Sequence, residues 1–240
     1  LDHRLLQIMF LLQSSRSFVL RTNFQTSFLR FPKQYTSQFF SKDTTSADIQ
    51  VFNHQFDLPN INQDKLKDIM VQIRSILGYE NYSVSLYLIN DDIMQEINRD
   101  SRNVDEPTDI LSFPLNNASQ PGKLNPPMFN IPDLYCLGEM LVDVPYVIRR
   151  CHEDAQEETH DDTQSIVPIE VDEDEEERGV SAAMSKIYDP EIRIQMLLIH
   201  GMLHLVGYDH IQDDDYYCMV AEEERILQLL NLVKDVPSIQ

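Results

Sequence analysis

His200 and His204 stand four residues apart. In a helix that spacing puts both side chains on one face, where two imidazoles can reach a single metal ion. Gly207 follows where a left-handed residue would end the helix, and the turn it allows can swing His210 back toward the same ion. Three neutral imidazoles with no fourth protein ligand in the run describe an open zinc site, which keeps a position for chemistry. A closed structural site wants a fourth ligand, usually Cys, and none stands at a suitable spacing. The expected cofactor is therefore Zn2+, one ion per chain, held by His200, His204 and His210.

The spacing His-x3-His-x2-Gly-x2-His is also that of the metzincin metalloproteases. In those enzymes the first His is followed by the Glu that serves as general base. Here that position is Gly201, which has no side chain. The metal scaffold is present and the peptidase base is missing.

The whole run from His200 to His210, His-Gly-Met-Leu-His-Leu-Val-Gly-Tyr-Asp-His, resembles the signature of the YbeY family. Members of that family are single-domain, metal-dependent endoribonucleases of ribosomal RNA maturation. A second block from Asn98 to Phe113 is similar to the same family, and matches it at Asn98, Arg102, Asp105, Pro107, Thr108, Asp109, Leu111, Ser112 and Phe113. It departs at Ser101, where the family usually has an aromatic; any substrate contact made by that ring is lost here. The resemblance runs from about Val51 to Leu232 and is interrupted by an insertion.

The resemblance implies an arginine beside the metal, and Arg102 is that residue. A guanidinium can clamp a phosphate by two parallel hydrogen bonds and offset the charge that builds up in the transition state. Arg102 and His200 are the expected catalytic residues, and Arg102 and Ser112 the expected substrate contacts. Leu137-Gly138-Glu139-Met140 stands where the family usually reads Leu-Gly-Asp-Ile, with Gly138 expected as a position of close approach. Glu139 and Asp209 are the carboxylates expected to support a ligand His or to act as general base. A strand-end carboxylate facing water is the equal alternative for Glu139. The implied function is a single-strand-specific endoribonuclease of small-subunit ribosomal RNA maturation and ribosome quality control. Its partners would be single-stranded ribosomal RNA and small-subunit proteins or assembly factors, with neither DNA nor a membrane involved. A non-catalytic, zinc-containing ribosome-assembly factor and a metzincin-like metalloprotease are the rivals from other classes.

Several elements must position these residues. Ile49 to Phe52 and Ser83 to Ile89 alternate as strands, the second with Val84, Leu86 and Leu88 on one face. Gln63 to Leu77 carries an apolar helical stripe (Leu66, Ile69, Met70, Ile73, Ile76, Leu77) that Gly78 closes. Asn90 caps a short helix to Arg99. Ile110 to Phe113 and Leu137 to Val142 are the next strands, separated by a Pro- and Asn-rich loop from Gln120 to Pro132. Val144 to about Glu158 is helical, with Val147, Ile148 and Cys151 inward. Asp189-Pro190-Glu191 starts the metal helix with a capping carboxylate, a first-turn Pro and an acid at the positive end of the dipole. Asp213 opens a last helix to about Val233. Helices and short strands intermix without repeats, so the expected fold is one α+β domain over residues 48–238. The resemblance implies a small mixed sheet of about four strands packed by helices. The metal helix would lie across it, with Arg102 and Glu139 delivered by loops or strand ends.

Composition adds constraints on partners and compartment. The formal net charge is −21, unevenly placed: residues 1–42 carry +5, residues 151–178 carry −12, and the remainder −14. Phosphate contacts normally drive nucleic-acid affinity, so so acidic a core should bind free RNA poorly without a local basic patch or a partner. Residues 1–45, rich in Ser, Arg, Phe and Leu and nearly free of acids, have the composition of an organellar transit peptide, mitochondrial with plastid as the alternative. Residues 153–182 contain an acidic run that repels itself and is expected to be a disordered insertion. Cys136, Cys151 and Cys218 form neither a metal-type spacing nor a disulfide framework, which argues for a reducing compartment. No apolar run approaches the roughly 18 residues of a membrane helix.

Overall fold

The structure, a computed structural model, describes residues 48–54, 61–161 and 179–232. The acid-poor stretch, residues 1–45, and most of the acidic run, residues 162–178, lie outside the described residues. Strands β1 (Ile49–Asn53), β2 (Ser83–Ile89), β3 (Ile110–Pro114) and β6 (Cys136–Asp143) form a four-stranded mixed sheet in the order β1-β2-β6-β3. β1, β2 and β6 run parallel, and β3 is antiparallel to β6. Helices α1 (Gln63–Ile76), α2 (Asp91–Arg102), α3 (Val144–Asp161), α4 (Gly179–Met184), α5 (Pro190–Leu205) and α6 (Asp213–Leu229) pack around it. The expected α+β class, the four mixed strands and a histidine-bearing helix packed on the sheet are all present.

Each helix start follows from a short polar side chain. The Asn62 carboxamide oxygen accepts Lys65 N–H, Asn90 accepts Ile93 N–H, and Asp189 accepts Glu191 N–H at 2.8 Å, so donors left over in each first turn are satisfied. Helix α5 is buried almost all round. Ile194, Leu197, Leu198, Met202, Leu203 and Leu205 are inaccessible or nearly so, with β3 and β6 on one side and α1, α3, α4 and α6 on the others. A helix apolar on every side must be central, and this one carries two of the three histidines at its C-terminal end. The other face of the sheet is covered in part by α2, whose Ile93, Met94 and Ile97 are buried.

Several boundaries differ from those the sequence suggests. Helix α2 continues past Arg99 to Arg102, and Asn103 stops it with φ +59, a left-handed conformation that Asn tolerates. Arg102 is therefore the last residue of a helix and not part of a loop. The start of the loop expected over Gln120 to Pro132 instead pairs with the residues before it, as a hairpin of β4 (Ala118–Gln120) and β5 (Lys123–Leu124) around Pro121-Gly122. The acidic stretch is partly helical: α3 carries on to Asp161, and α4 begins at Gly179. The helix expected from Val144 to about Glu158 thus runs into the acidic stretch, anchored by Val147 and Cys151 in the core. The last helix ends at Leu229, short of Val233, where Asn231 turns left-handed at φ +51.

Candidate metal centre

The three histidines converge. Ligand-capable atoms of His200, His204 and His210 all lie within 4.8 Å of one another. One helical turn separates the first two, whose Nε2 atoms are 3.0 Å apart. The third arrives through the predicted break: Gly207 adopts φ +90, and a Cβ there would stand 2.2 Å from the Ala118 side chain, so glycine is required by both conformation and space. Tyr208 N–H then bonds Leu203 O, and Asp209 Oδ1 accepts the backbone N–H of His210 at 2.8 Å. Asp209 thus shapes the turn that presents His210. Its charge also acts on the His204 imidazole, and it lines the same groove as the three histidines.

The hydrogen bonds choose the tautomers. His204 Nδ1 is 3.0 Å from the Tyr208 carbonyl, which can only accept, so that nitrogen carries the proton. His200 Nδ1 is 2.7 Å from Glu223 Oε1, again an acceptor. Both Nε2 atoms therefore turn lone pairs toward the same point, an arrangement that repels itself unless a cation sits between them. Burial, then the neighbouring His200 and His210, push the His204 pKa down to about 4, so its imidazole is neutral at physiological pH. Imidazoles with converging lone pairs whose other nitrogens are tied to acceptors, as at His200 and His204, are the donor set that suits a zinc ion.

A groove of about 670 Å³ opens over the histidines. Arg102, Asp109, Ser112, Ser181, Met184 and Tyr208 are among its walls. Among the described residues Arg102 has no ion-pair or hydrogen-bond partner, whereas Arg99, Arg149, Arg150, Arg193 and Arg225 are each paired with a carboxylate. Partial desolvation lowers the Arg102 pKa, with Asp109 acting the other way; a guanidinium remains charged under such a shift. Ser112 lies under the helix, 3.0 Å from where a Cβ on Gly201 would be. That same Cβ would meet Met140 Sδ at 2.7 Å and Ile110 Cδ1 at 2.8 Å. Gly201 is thus where the metal helix closes on the sheet, and the seam is already full where a peptidase would carry its Glu. Ser101, in place of the family's aromatic, spends its hydroxyl on Ile97 O within α2.

Glu139 is not at this site. Its neighbour Met140 points at Gly201, and alternate residues of a strand point to opposite faces. The Glu139 carboxylate lies on the far side of the sheet, 3.4 Å from the Tyr87 hydroxyl, and burial raises its pKa. Gly138, in contrast, is a close-approach position as expected: at φ +141 a Cβ would be 2.2 Å from Phe113 O. Two residues were missed. Asp109, whose Oδ1 accepts Ile110 N–H at 2.7 Å, faces the groove. Glu223, 4 % exposed, is the carboxylate that supports a ligand. The signal for it was present: Met219, Val220, Glu223, Ile226 and Leu227 follow a helical period, which puts Glu223 on the buried stripe of α6.

A family model described as Endoribonuclease YbeY matches residues 48–167 and 176–231, leaving a gap inside the acidic run. Proteins named Endoribonuclease YbeY are similar along most of the chain. The one from Halalkalibacterium halodurans is 31 % identical over 158 residues, covering 66 % of this chain and 78 % of that protein. The one from Clostridioides difficile is 30 % identical over 173 residues, covering 72 % and 88 %. A solution structure from Thermotoga maritima aligns with 80 % of this chain and 100 % of that chain at 19 % identity and a TM-score of 0.39.

Proposed function

From the premise that this chain belongs to the YbeY family of endoribonucleases, we propose that it is a zinc-dependent, single-strand-specific endoribonuclease acting in small-subunit ribosomal RNA maturation and quality control. The observation that carries the reading is the unpaired Arg102 guanidinium in the same groove as three converging imidazoles. His200, His204 and His210 hold the ion, which supplies Lewis acidity toward a phosphate group. Arg102 takes two phosphoryl oxygens by parallel N–H···O bonds and offsets their growing charge. Ser112 offers a hydroxyl on the groove floor for the same phosphate or its sugar. Peptide hydrolysis is disfavoured because its amine leaving group needs a proton donor, and Met140, Ile110 and Ser112 fill the space where a Glu would stand. Turnover of a single-stranded RNA that stops with a chelator and returns with zinc tests the reading. Zinc bound without any turnover would favour an assembly factor instead.

The acidic balance supports a role on a particle. A chain that carries −21 gains little from nonspecific phosphate contacts, so small-subunit proteins or assembly factors bring the RNA strand to the groove. Among the described residues no helix is long and apolar enough to cross a membrane. The acid-poor composition of residues 1–45 supports a mitochondrial destination, with plastids as the alternative. A reporter fused behind that segment and left in the cytosol would count against it.

A further inference from the structure

Glu223 reaches the metal helix from α6, which carries no ligand, and both of its oxygens are used on different elements. Oε1 lies 2.7 Å from His200 Nδ1, and Oε2 accepts Val180 N–H at 2.9 Å. Val180 is the second residue of α4, whose Ser181 and Met184 form part of the groove wall. Gly179 permits the approach: at φ +70, a Cβ there would stand 2.2 Å from Glu223 Oε2. The far end of α4 is held separately by buried Arg193, which donates to the Met184 carbonyl and to Asp154.

We propose that Glu223 is a positioning residue for the metal centre and that it links the orientation of a ligand to the order of the groove wall. The inference rests on the metal-dependent reading above. A carboxylate only accepts hydrogen bonds, so it fixes the proton of His200 on Nδ1 and leaves the Nε2 lone pair for the ion. A cation on Nε2 makes the Nδ1–H more acidic and tightens its bond to Glu223. The firmer carboxylate then holds Val180 N–H, and through it the first turn of α4. Linkage runs both ways: an ordered α4 keeps the carboxylate in place and favours metal binding.

Glu223→Gln separates this from a purely structural role. Val180 N–H needs an acceptor, so the Gln carbonyl oxygen must face it and the amide NH2 must face His200. The imidazole is then forced to accept at Nδ1 and to carry its proton on Nε2, where it cannot ligate. Zinc competition against a chromogenic chelator in the full chain should show an affinity about 10- to 100-fold weaker, the range for losing such a partner. Amide exchange across residues 179–184 of the zinc-free variant should stay at the parental level, because the Val180 bond survives. In the parent, added zinc should slow exchange at Val180, and in the variant it should not. Zinc affinity of Glu223→Gln within about twofold of the parent would overturn the positioning role, since partner losses are tenfold or more. If that variant does not fold, the parent decides: exchange at Val180 indifferent to zinc would overturn the linkage. Failure of the parent to bind zinc at all would instead sink the metal-centre reading itself.

Discussion

Two neighbours on β6 have opposite surroundings. Met140 lies under the metal helix, where its sulfur would meet any Cβ placed on Gly201. Glu139, one residue earlier, shares the far face of the sheet with Tyr87. Both belong to the Leu-Gly-Glu-Met stretch, and of the two Met140 lies against the histidine-bearing helix. The difference shows that a carboxylate near a motif acquires its role from strand phase and from which face the ligand helix covers. The carboxylate that supports the site comes from Glu223 on another helix. It is held between α5 and α4, by His200 and the Val180 N–H.

Substitutions on the two faces should differ accordingly. The largest effect belongs to the ligands: His204→Ala should strip the protein of zinc and abolish chelator-sensitive RNA cleavage. Elemental analysis checks it, and metal content equal to the parent's would show that the ligand assignment is wrong. Filling the seam comes next. Gly201→Ala should cost about 1–3 kcal/mol by overpacking, and Gly201→Glu more, read as a drop in thermal midpoint without the gain of peptidase activity. A Gly201→Glu protein as stable as the parent would mean the seam has room for a peptidase base. The smallest effect is expected on the far face. Glu139→Gln should leave zinc content and cleavage within about twofold, as for a change away from the site.

The far face has its own signature in pH. Burial raises the Glu139 pKa above its ordinary value of 4.5, so the folded chain holds that proton more tightly than the unfolded chain does. Stability contributed by this group therefore falls as pH rises from the unfolded value through the raised one. Glu139→Gln should lose that dependence and gain on the parent at the higher pH, measured by denaturant titration. Parallel pH profiles for the two proteins would show that Glu139 is not desolvated.

Much of this was legible before any coordinates. The histidine spacing and the Gly207 break bring three imidazoles together because helix geometry and a left-handed turn leave few other outcomes. Asp189-Pro190 marks the start of α5 because a cap and a first-turn Pro are local effects. Arg102 was identifiable by resemblance, but its position at a helix end was not: Asp100 and Ser101 are poor helix formers, and α2 runs through them to Asn103. For Glu139 the sequence leaves a site role and a position away from the site open, because alternation tells which residues share a face and not which face meets α5. Glu223 was overlooked because it sits in Glu222-Glu223-Glu224, which reads as a solvated acidic patch, although the period of α6 buries it. The hairpin at 118–124 depends on distant partners, Tyr79 Oη donating to Gly122 O and accepting Leu124 N–H, that no local pattern announces.

The most direct test joins metal and arginine in one protein. Arg102→Ala, purified with zinc and assayed on single-stranded RNA, should keep one zinc per chain and the parental fold while cleavage falls by on the order of a hundredfold, the scale of one lost transition-state charge contact. Arg102→Lys should recover only part of the rate, because an ammonium cannot make the two-pronged clamp. Unimpaired cleavage by Arg102→Ala, or chelator-sensitive peptide hydrolysis by the unmodified chain, would contradict phosphodiester chemistry at this centre.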